Sequence, residues 1–454
     1  MNKIDNIYKV ESPPIIPLIK LDIESIRRLQ LPEVDVAIQK ANEEYLHWED
    51  LKYKSWLPAE SLQEKIEFWS YLKRVRRSNS ITSPIRDASG NFYKISPKNY
   101  TEFLHIIDKE MAGNFMGLSQ VDESDRRQFI TRNIIEESIA SSQLEGANTS
   151  REVAKRMLLE GRRPLNHGEK MIVNSHVTMR KIEQTLYKEK LSVDLIFDLH
   201  RMITKDTLAE NKQGVLRNTL DDKGNRLVVE RDDGKIAYVT PDREFVEKEL
   251  PRLIAFANGE EENVRFIHPL IKGIMLHFWL GLLHPFEDGN GRLARVLFYW
   301  YMLRNDYWAF AYLSLSEKII KSKGQYSKAY IYSEQDDYDL TYFIQYNIEK
   351  LELARKDFQH YMRTKVQDNK DMVLDVQKHH SFNERQIKLL QYLHQKKERR
   401  TSPTAHQKIY NVSNVTAAND LRKLLEEGFL EKRRQGNNVF YYPTKKIKEL
   451  FSFD

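Results

Sequence analysis

The sequence predicts a mainly α-helical protein built from an N-terminal helical extension, a helical core with a small β-hairpin, and a C-terminal module of helices and a hairpin. Three observations support this fold class. The segments 273–283 and 292–301 are apolar and uninterrupted, as is typical of buried helices. Runs rich in β-forming residues are short and few. At 454 residues, the chain also exceeds the size of one ordinary core, so two or three domains are expected.

We expect four parts in chain order: the extension at 1–115, the core at 116–365, a polar linker at 366–380 and the C-terminal module at 381–450. The extension is mostly charged and has helical patterns at 41–54 and 58–75. It contains no motif that indicates a catalytic or binding site. The chain has no cysteine, which excludes disulfides and thiolate metal sites. No apolar stretch reaches the length of a membrane span and no signal peptide is visible, so we expect a cytoplasmic protein without a membrane partner.

The core begins with a predicted helix at about 132–146. Its apolar residues recur at roughly helical spacing, and Gly146 is a plausible C-cap. Ser141 and Glu145 lie near its end. Taken alone, Glu145 is typical of an exposed charge near a helix end.

A hairpin is predicted at about 226–240. Two β-rich runs, 226–230 and 235–239, flank the turn Asp232-Asp233-Gly234. An Asp-Gly pair between such runs is a strong hairpin signal. By itself the pattern is equally compatible with an ordinary surface hairpin.

The residues that carry chemistry concentrate in one segment, 284–295, which reads HPFEDGNGRLAR. His284 is a candidate general base, because an imidazole with a near-neutral pKa can take a proton from a hydroxyl. Asp288 offers the carboxylate oxygens that Mg²⁺ prefers alongside substrate phosphates. The glycines on either side of Asn290 allow the backbone to approach a pyrophosphate closely.

The helix that follows this segment adds to the phosphate site. Its first turn presents free N–H groups and a positive dipole end. Arg292 and Arg295 are three residues apart and share one helix face, and their forked donors suit phosphate oxygens. A plain Gly-Asn turn before a buried helix does not explain this combination. The segment therefore predicts a site that moves part of a nucleotide onto a hydroxyl.

The segment resembles the signature of Fic-domain proteins, His-x-Phe-x-Asp/Glu-Gly-Asn-Gly-Arg-x-x-Arg, and matches every fixed position. Members of that family transfer the AMP part of ATP onto Ser, Thr or Tyr hydroxyls of target proteins. The resemblance implies that His284 deprotonates the hydroxyl, that Phe286 anchors the loop in the core, and that Asp288 holds Mg²⁺, for which Mn²⁺ can substitute. It also implies that the phosphates are bound by Gly289, Asn290, Gly291, Arg292 and Arg295.

The resemblance changes the interpretation of Ser141-x-x-x-Glu145-Gly146, which is similar to the inhibitory motif of many Fic proteins. In those proteins the glutamate salt-bridges the second signature arginine, here Arg295, and displaces the γ-phosphate of ATP. The resemblance is therefore to the class with an N-terminal inhibitory helix. In some relatives the same glutamate positions water to remove AMP, so the reverse reaction stays open.

Two tyrosines become nucleotide-binding candidates through the same resemblance. In Fic proteins a flap like 226–240 covers the site and pairs with an extended segment of the target. Tyr238 lies where this flap returns to the helical body. Tyr326 falls where relatives place aromatic residues against the adenine, although a plain core role is equally compatible with its position.

The C-terminal module carries the basic charge of the chain. Residues 385–448 contain fifteen Lys and Arg against five Asp and Glu, whereas the whole chain has a net charge of +6. Helices are predicted at 384–395, 403–409 and 415–425, with Ser413 as an N-cap, and a basic hairpin follows at 429–442. This order looks like a winged helix-turn-helix. Such modules bind DNA or RNA, or have a protein-docking or structural role, and the sequence leaves these alternatives open.

The sequence thus predicts an autoinhibited, Mg²⁺-dependent protein adenylyltransferase. Its expected partners are ATP and a target protein with an exposed hydroxyl residue, while DNA and a second copy of the chain are left open. The alternative from another functional class is a transcriptional regulator, in which a DNA-binding winged helix is joined to a core that only senses nucleotide.

Overall fold

The computed structural model describes residues 6–96, 100–112, 123–221, 224–231, 233–260, 265–394, 400–435 and 438–450. This part of the chain is mainly helical and contains three two-stranded antiparallel hairpins, which confirms the predicted fold class. Asp232 of the predicted flap turn lies outside the described residues. Within these residues, no helix combines the length and the apolar character that crossing a membrane requires.

The described part of the N-terminal region contains five α-helices and one hairpin. They are α1 (Ile23–Leu29), α2 (Pro32–Glu43), α3 (Trp48–Leu51), α4 (Leu62–Ser78), β1 (Ile81–Arg86), β2 (Phe92–Ile95) and α5 (Thr101–Ile107). The prediction of one helix over 41–54 was wrong, because Tyr45 adopts a left-handed conformation with φ 51° after α2 ends. The hairpin β1–β2 was not predicted; its burial alternates in β2, but the four-residue strand is too short to stand out in the sequence.

Among the described residues of the core there are ten α-helices and the predicted flap. They are α6 (Glu123–Leu144), α7 (Arg151–Glu160), α8 (His167–Gln184), α9 (Val193–Thr204), β3 (Val228–Glu230), β4 (Ile236–Val239), α10 (Arg243–Asn258), α11 (Pro269–Leu283), α12 (Asn290–Arg304), α13 (Leu315–Ile320), α14 (Lys323–Gln335) and α15 (Thr341–His379). The segment 366–380 was expected to be a linker, but 366–379 is helical and forms the last part of α15.

Helices α11 and α12 form the centre of the core. Nearly every side chain on both is buried, because α6, α8, α9, α10 and α15 cover them on several sides. Gly273 on α11 allows this close packing: a Cβ there would lie 3.0 Å from the Met302 sulfur and 3.3 Å from the Phe298 ring. The turn 284–289 between the two helices is therefore held on a rigid base.

The N-terminal region is joined to the core by buried polar pairs. The Tyr45 hydroxyl donates to Asp339 at 2.6 Å, and the Lys73 ammonium lies 2.8 Å from the Asp336 carboxylate. Further along, the Tyr8 N–H donates to the Ile236 carbonyl at 2.8 Å, so the first described residues pair in parallel with β4 of the flap. The extension thus contacts the flap as well as the helical core.

The C-terminal module has its own small apolar core, which includes Leu390, Leu421 and Phe429. Its elements are α16 (Glu384–His394), α17 (Pro403–Tyr410), α18 (Asn414–Glu426), β5 (Leu430–Gln435), β6 (Asn438–Pro443) and α19 (Lys446–Leu450). Ser413 caps α18 by accepting the Thr416 N–H at 3.0 Å, as its position predicts. Three helices followed by a hairpin is the predicted order.

Candidate active site

The candidate site is built on the turn between α11 and α12. His284 ends α11 in a left-handed conformation with φ 45°, and its N–H still donates to the Leu280 carbonyl. The Arg217 side chain fixes this turn, because its Nε donates to the His284 carbonyl at 2.6 Å. The Arg217 main-chain N–H also donates to the Pro285 carbonyl at 3.0 Å. Arg217 was not among the predicted site residues, since nothing in its local sequence marks this distant contact.

The turn is closed by hydrogen bonds between Phe286 and Asn290. The Phe286 N–H donates to Asn290 Oδ1 at 2.9 Å, and Asn290 Nδ2 donates back to the Phe286 carbonyl at 2.8 Å. The Phe286 ring is fully buried and stacks on the His200 ring with centroids 3.8 Å apart. The structure therefore places Asn290 at the start of α12, where both the oxygen and the nitrogen of its side-chain amide are hydrogen-bonded to the main chain of Phe286.

His200 on α9 is a second residue that the sequence analysis missed. Its Nδ1 accepts the Gly214 N–H at 2.8 Å, which leaves Nε2 to donate to the Asp288 carbonyl, also at 2.8 Å. Burial lowers the pKa of this imidazole to about 4, so the ring is neutral in this tautomer near pH 7. His200 thus fixes the main chain of the turn at Asp288.

Glycine is required on either side of Asn290, at Gly289 and Gly291, for different reasons. Gly289 has φ 85°, and a Cβ there would lie 2.9 Å from the Thr204 methyl carbon. Gly291 lies in the first turn of α12, and a Cβ there would overlap the Glu145 carboxylate. The backbone at the start of α12 is therefore open to a close neighbour, and in this structure that neighbour is Glu145.

Asp288 is the predicted metal ligand. Its carboxylate accepts the Gly289 N–H at 2.6 Å and lies 3.1 Å from Arg292 Nη2, yet 46% of the side chain is exposed. The described residues contain no group of three or more His, Asp or Glu side chains arranged to hold a metal ion. A single exposed carboxylate fits Mg²⁺, which is commonly held by one or two carboxylates together with substrate phosphates.

Arg292 and Arg295 are both buried on α12. Arg292 donates to the Ile203 carbonyl at 3.2 Å and to Asp288 at 3.1 Å, and its Nε has no hydrogen-bond partner. Such an orphaned donor on a buried cation is costly unless a further acceptor binds. It is the kind of group that a phosphate oxygen would satisfy.

Arg295 is held by the end of α6. Its Nε donates to the Ser141 hydroxyl at 2.9 Å, and its Nη2 donates to the Ser141 carbonyl at 3.0 Å and to Glu145 Oε1 at 2.8 Å. The structure therefore brings Ser141, Glu145 and Arg295 together across more than 140 residues of sequence, as predicted from the paired motifs. The Glu145 side chain remains 26% exposed, so it faces the open part of the site.

The His284 side chain has a lowered pKa. Burial is the main cause, and the nearby Arg217 cation acts in the same direction, so the pKa falls to about 4. The imidazole is therefore neutral near pH 7, and one of its ring nitrogens carries a lone pair. This is the protonation state that a general base needs.

The two predicted nucleotide-binding tyrosines lie on either side of α11. The Tyr238 hydroxyl donates to the Leu282 carbonyl at 2.9 Å, which fixes the flap to the end of α11. The Tyr326 hydroxyl on α14 lies 2.9 Å from Nε2 of the buried His277. Both tyrosines are partly buried, and both hydroxyls are already engaged.

Comparison with known proteins points to one family. Residues 190–302 match the model of the Fic/DOC family. Over 154 residues the chain is 27% identical to protein adenylyltransferase fic-1 of Caenorhabditis elegans, which covers 33% of this chain and 27% of that protein. It is 26% identical over 147 residues to protein adenylyltransferase Fic of Nematostella vectensis, covering 32% of this chain and 30% of that protein. The chain thus spans less than a third of the length of these relatives.

Solved structures give matches of lower similarity. A Fic family protein from Desulfovibrio desulfuricans G20 superposes with a TM-score of 0.48 at 18% identity, over 77% of this chain and 97% of that chain. A Fic-domain signaling protein from Bacteroides thetaiotaomicron superposes with a TM-score of 0.44 at 20% identity, over 57% of this chain and 96% of that chain. The family model ends inside α12, beyond the whole turn described above. The segment 190–302 of this chain, which contains that turn, is therefore similar to the Fic/DOC family.

Proposed function

We propose that the chain is a protein adenylyltransferase that transfers AMP from ATP to a Ser, Thr or Tyr hydroxyl of a target protein and is autoinhibited by Glu145. One observation carries the proposal. A neutral His284, the exposed Asp288 carboxylate and the buried, incompletely bonded Arg292 converge at the N-terminal end of α12. The names of the adenylyltransferase relatives from two animal genera support the same reaction.

The chemistry follows from this arrangement. The phosphates of ATP bind at the start of α12, where free N–H groups and Arg292 stabilise negative charge. His284 takes the proton from the target hydroxyl, whose oxygen attacks the α-phosphorus. A new P–O bond forms to the target, the bond between the α-phosphorus and its bridging oxygen breaks, and pyrophosphate leaves. Asp288 would hold Mg²⁺, which supplies charge neutralisation at the phosphates.

Autoinhibition is supported by the occupied donors of Arg295. A guanidinium that is bonded to Ser141 and Glu145 cannot also bind the distal phosphates of ATP, and the Glu145 carboxylate repels them. Because this carboxylate lies against Gly291, it occupies space beside the phosphate-binding backbone. The same carboxylate is placed to activate water, so removal of AMP from a modified target is a second reaction open to this site.

The test is transfer of label from α-labelled ATP to proteins of a cell lysate. We expect Glu145→Gly to raise labelling several-fold over the wild-type chain, because Arg295 then becomes available to phosphate. His284→Ala in the same background should abolish labelling. Equal or lower labelling by Glu145→Gly, with nucleotide binding intact, would remove the autoinhibition proposal. Absence of label with every variant would remove the transferase proposal.

A second candidate function is a nucleotide-sensing regulator of transcription. The basic C-terminal module, with its order of three helices and a hairpin, favours this candidate. The complete signature argues against a site that only senses, because His284 has no role in simple binding. Labelling of target proteins that depends on His284 would decide for the enzyme.

A further inference from the structure

We propose that the C-terminal module binds double-stranded DNA and that this binding is linked to release of Glu145 from the active site through helices α6 and α7. The link to AMP transfer rests on the function proposed above. The DNA site and its coupling to the helix pair can be measured without that activity.

The first step concerns the position of Glu145. It lies in the turn between α6, which ends at Leu144, and α7, which begins at Arg151. Helix α17 of the C-terminal module packs against both members of this pair. The inhibitory carboxylate is therefore carried by two helices that the C-terminal module contacts directly, so a shift of the pair would withdraw it from Arg295.

The second step concerns one residue, Arg400, at the junction. Its Nε and Nη2 donate to the two carboxylate oxygens of Glu160, the last residue of α7, at 2.8 and 3.0 Å. Its Nη1 donates to Gln435 of β5 at 2.8 Å and to the Tyr442 hydroxyl of β6 at 3.2 Å. The guanidinium also lies 3.9 Å from the centroid of the Phe440 ring. Arg400 thus joins the basic hairpin to the end of α7.

The third step concerns the face that would meet DNA. Helix α18 packs on α17, α16 and β5 and exposes Asn414, Asn419 and Arg422. The hairpin beside it exposes three consecutive cations, Lys432, Arg433 and Arg434. Amide and guanidinium groups on a helix can read base edges, and cations on an adjacent hairpin suit backbone phosphates. The charge excess of residues 385–448 makes the duplex the complementary partner.

The fourth step gives the sign of the coupling. A phosphate near the hairpin competes with Glu160 for Arg400 and repels the Glu160 carboxylate. A bound duplex therefore favours an arrangement in which α7 has moved away. A cavity of about 610 Å³ lies between the C-terminal module and α6, α7 and α15, lined among others by Glu136, Leu159 and Ala405. The packing at this junction is therefore loose enough for the helix pair and the module to shift relative to each other. DNA should thus raise AMP transfer.

The binding test uses the full chain and a fluorescent duplex of about 30 base pairs, titrated at several salt concentrations. We expect the variant Lys432→Ala, Arg433→Ala, Arg434→Ala to lose at least about tenfold in affinity and to lower the salt slope by up to about three. A control variant removes the same charge from the core surface, at Lys181, Lys188 and Lys190, and should bind like the wild type. Equal duplex binding by the hairpin variant and the control, or equal affinity for single-stranded RNA, would overturn the DNA site.

The coupling test measures duplex affinity in variants of the helix pair. Because linkage is reciprocal, Glu160→Ala should bind duplex about three- to tenfold more tightly than the wild type. Glu152→Ala, which removes an exposed carboxylate from the same helix, serves as the matched control. Equal affinities of Glu160→Ala and Glu152→Ala would overturn the coupling. In labelling assays, duplex should stimulate the wild type and not the hairpin variant; loss of all labelling would contradict only the proposed transferase.

Discussion

Arg292 and Arg295 lie one turn apart on α12, and both are buried, yet their surroundings differ. Arg292 is held by residues close to the turn and to α9, and one of its donors has no partner. Arg295 is held by Ser141 and Glu145 at the end of α6. Burial lowers the pKa of Arg292. At Arg295 burial acts in the same direction, but the Glu145 carboxylate, together with Tyr326 and Glu137, outweighs it and raises the pKa.

The difference separates two properties of the site. The contacts of the first arginine come from residues near the signature segment, and they leave one donor of a buried cation unpaired. The contacts of the second come from a helix about 150 residues away in the sequence. Under the proposed function, the signature segment would supply the residues for transfer, and the contact with α6 would hold them in an inactive arrangement.

The largest expected effect comes from removing either arginine after the contact with α6 has been broken. In the Glu145→Gly background, Arg292→Ala and Arg295→Ala should each lower the rate of AMP transfer by about 10²–10³-fold, because each removes charge stabilisation from the transition state. Labelling kinetics measure this. Arg304→Ala, at the far end of α12, is the control and should stay within about twofold. A small effect of Arg295→Ala in this background would mean that freeing it from Glu145 is not what activates the site.

A smaller effect is expected on stability when the hydrogen bond between Ser141 and Arg295 is removed. Ser141→Ala removes a hydrogen bond to a charged group and should lower the free energy of unfolding by about 1.5–3 kcal/mol, measured by urea denaturation. Ser142→Ala is the matched control, because it loses only a neutral hydrogen bond to Ser175, worth about 0.5–1.5 kcal/mol. If both substitutions have the same effect, the Ser141 contact is not the stronger one.

A tenfold effect is expected on nucleotide selectivity. With Arg295 bonded to Glu145, the wild-type chain should bind ATP and ADP with similar affinity, since the γ-phosphate gains no cation. Glu145→Gly should prefer ATP by about tenfold, equivalent to about 1.4 kcal/mol. Calorimetric titration measures both affinities. Glu145→Gln keeps the size of the side chain and removes its charge, so its preference should be intermediate; a wild-type chain that already prefers ATP tenfold would contradict the proposal that Glu145 keeps Arg295 from binding the γ-phosphate.

The smallest effect is expected from pH. A histidine with a lowered pKa is protonated only below that pKa, so His284, with a pKa of about 4, stays neutral from pH 8 to pH 6. The transfer rate of Glu145→Gly at saturating ATP should therefore change by less than about twofold over this range. An ordinary histidine pKa of about 6.5 would instead give about a fourfold fall by pH 6. The pH–rate profile, recorded at constant ionic strength, distinguishes the two.

Much of the fold was predictable because the signals were local. The apolar segments around α11 and α12, the Asp-Gly turn of the flap and the cap at Ser413 each depend on a few neighbouring residues. Helix α6 was predicted from about 132, although it begins at Glu123. Its early part, 123–128, reads ESDRRQ and contains no apolar residue, so hydrophobic periodicity does not mark the start of the helix.

The remaining parts depend on contacts between distant residues. The sequence around Arg217 and His200 contains no pattern that predicts hydrogen bonds from these side chains to carbonyls of the turn at 284–289. The prediction of a helix over 41–54 was wrong because Tyr45 adopts a left-handed conformation that interrupts an otherwise helical pattern. The contact between Glu145 and Arg295 was predicted from the inhibitory motif and the signature segment considered together. Neither motif alone predicts it.

The parallel bridge between Ile7 and Ile236 of β4 has a practical consequence. A two-stranded hairpin is only marginally stable alone, so this backbone contact with the segment at Asn6 to Tyr8 supports the flap. The Arg231 guanidinium stacks on the Tyr8 ring at 3.8 Å and holds the segment in place. An affinity tag or fusion partner joined ahead of Asn6 would emerge beside this flap, whereas one placed after the C-terminal module would leave it undisturbed. Recombinant protein for target searches is therefore better tagged at its far end.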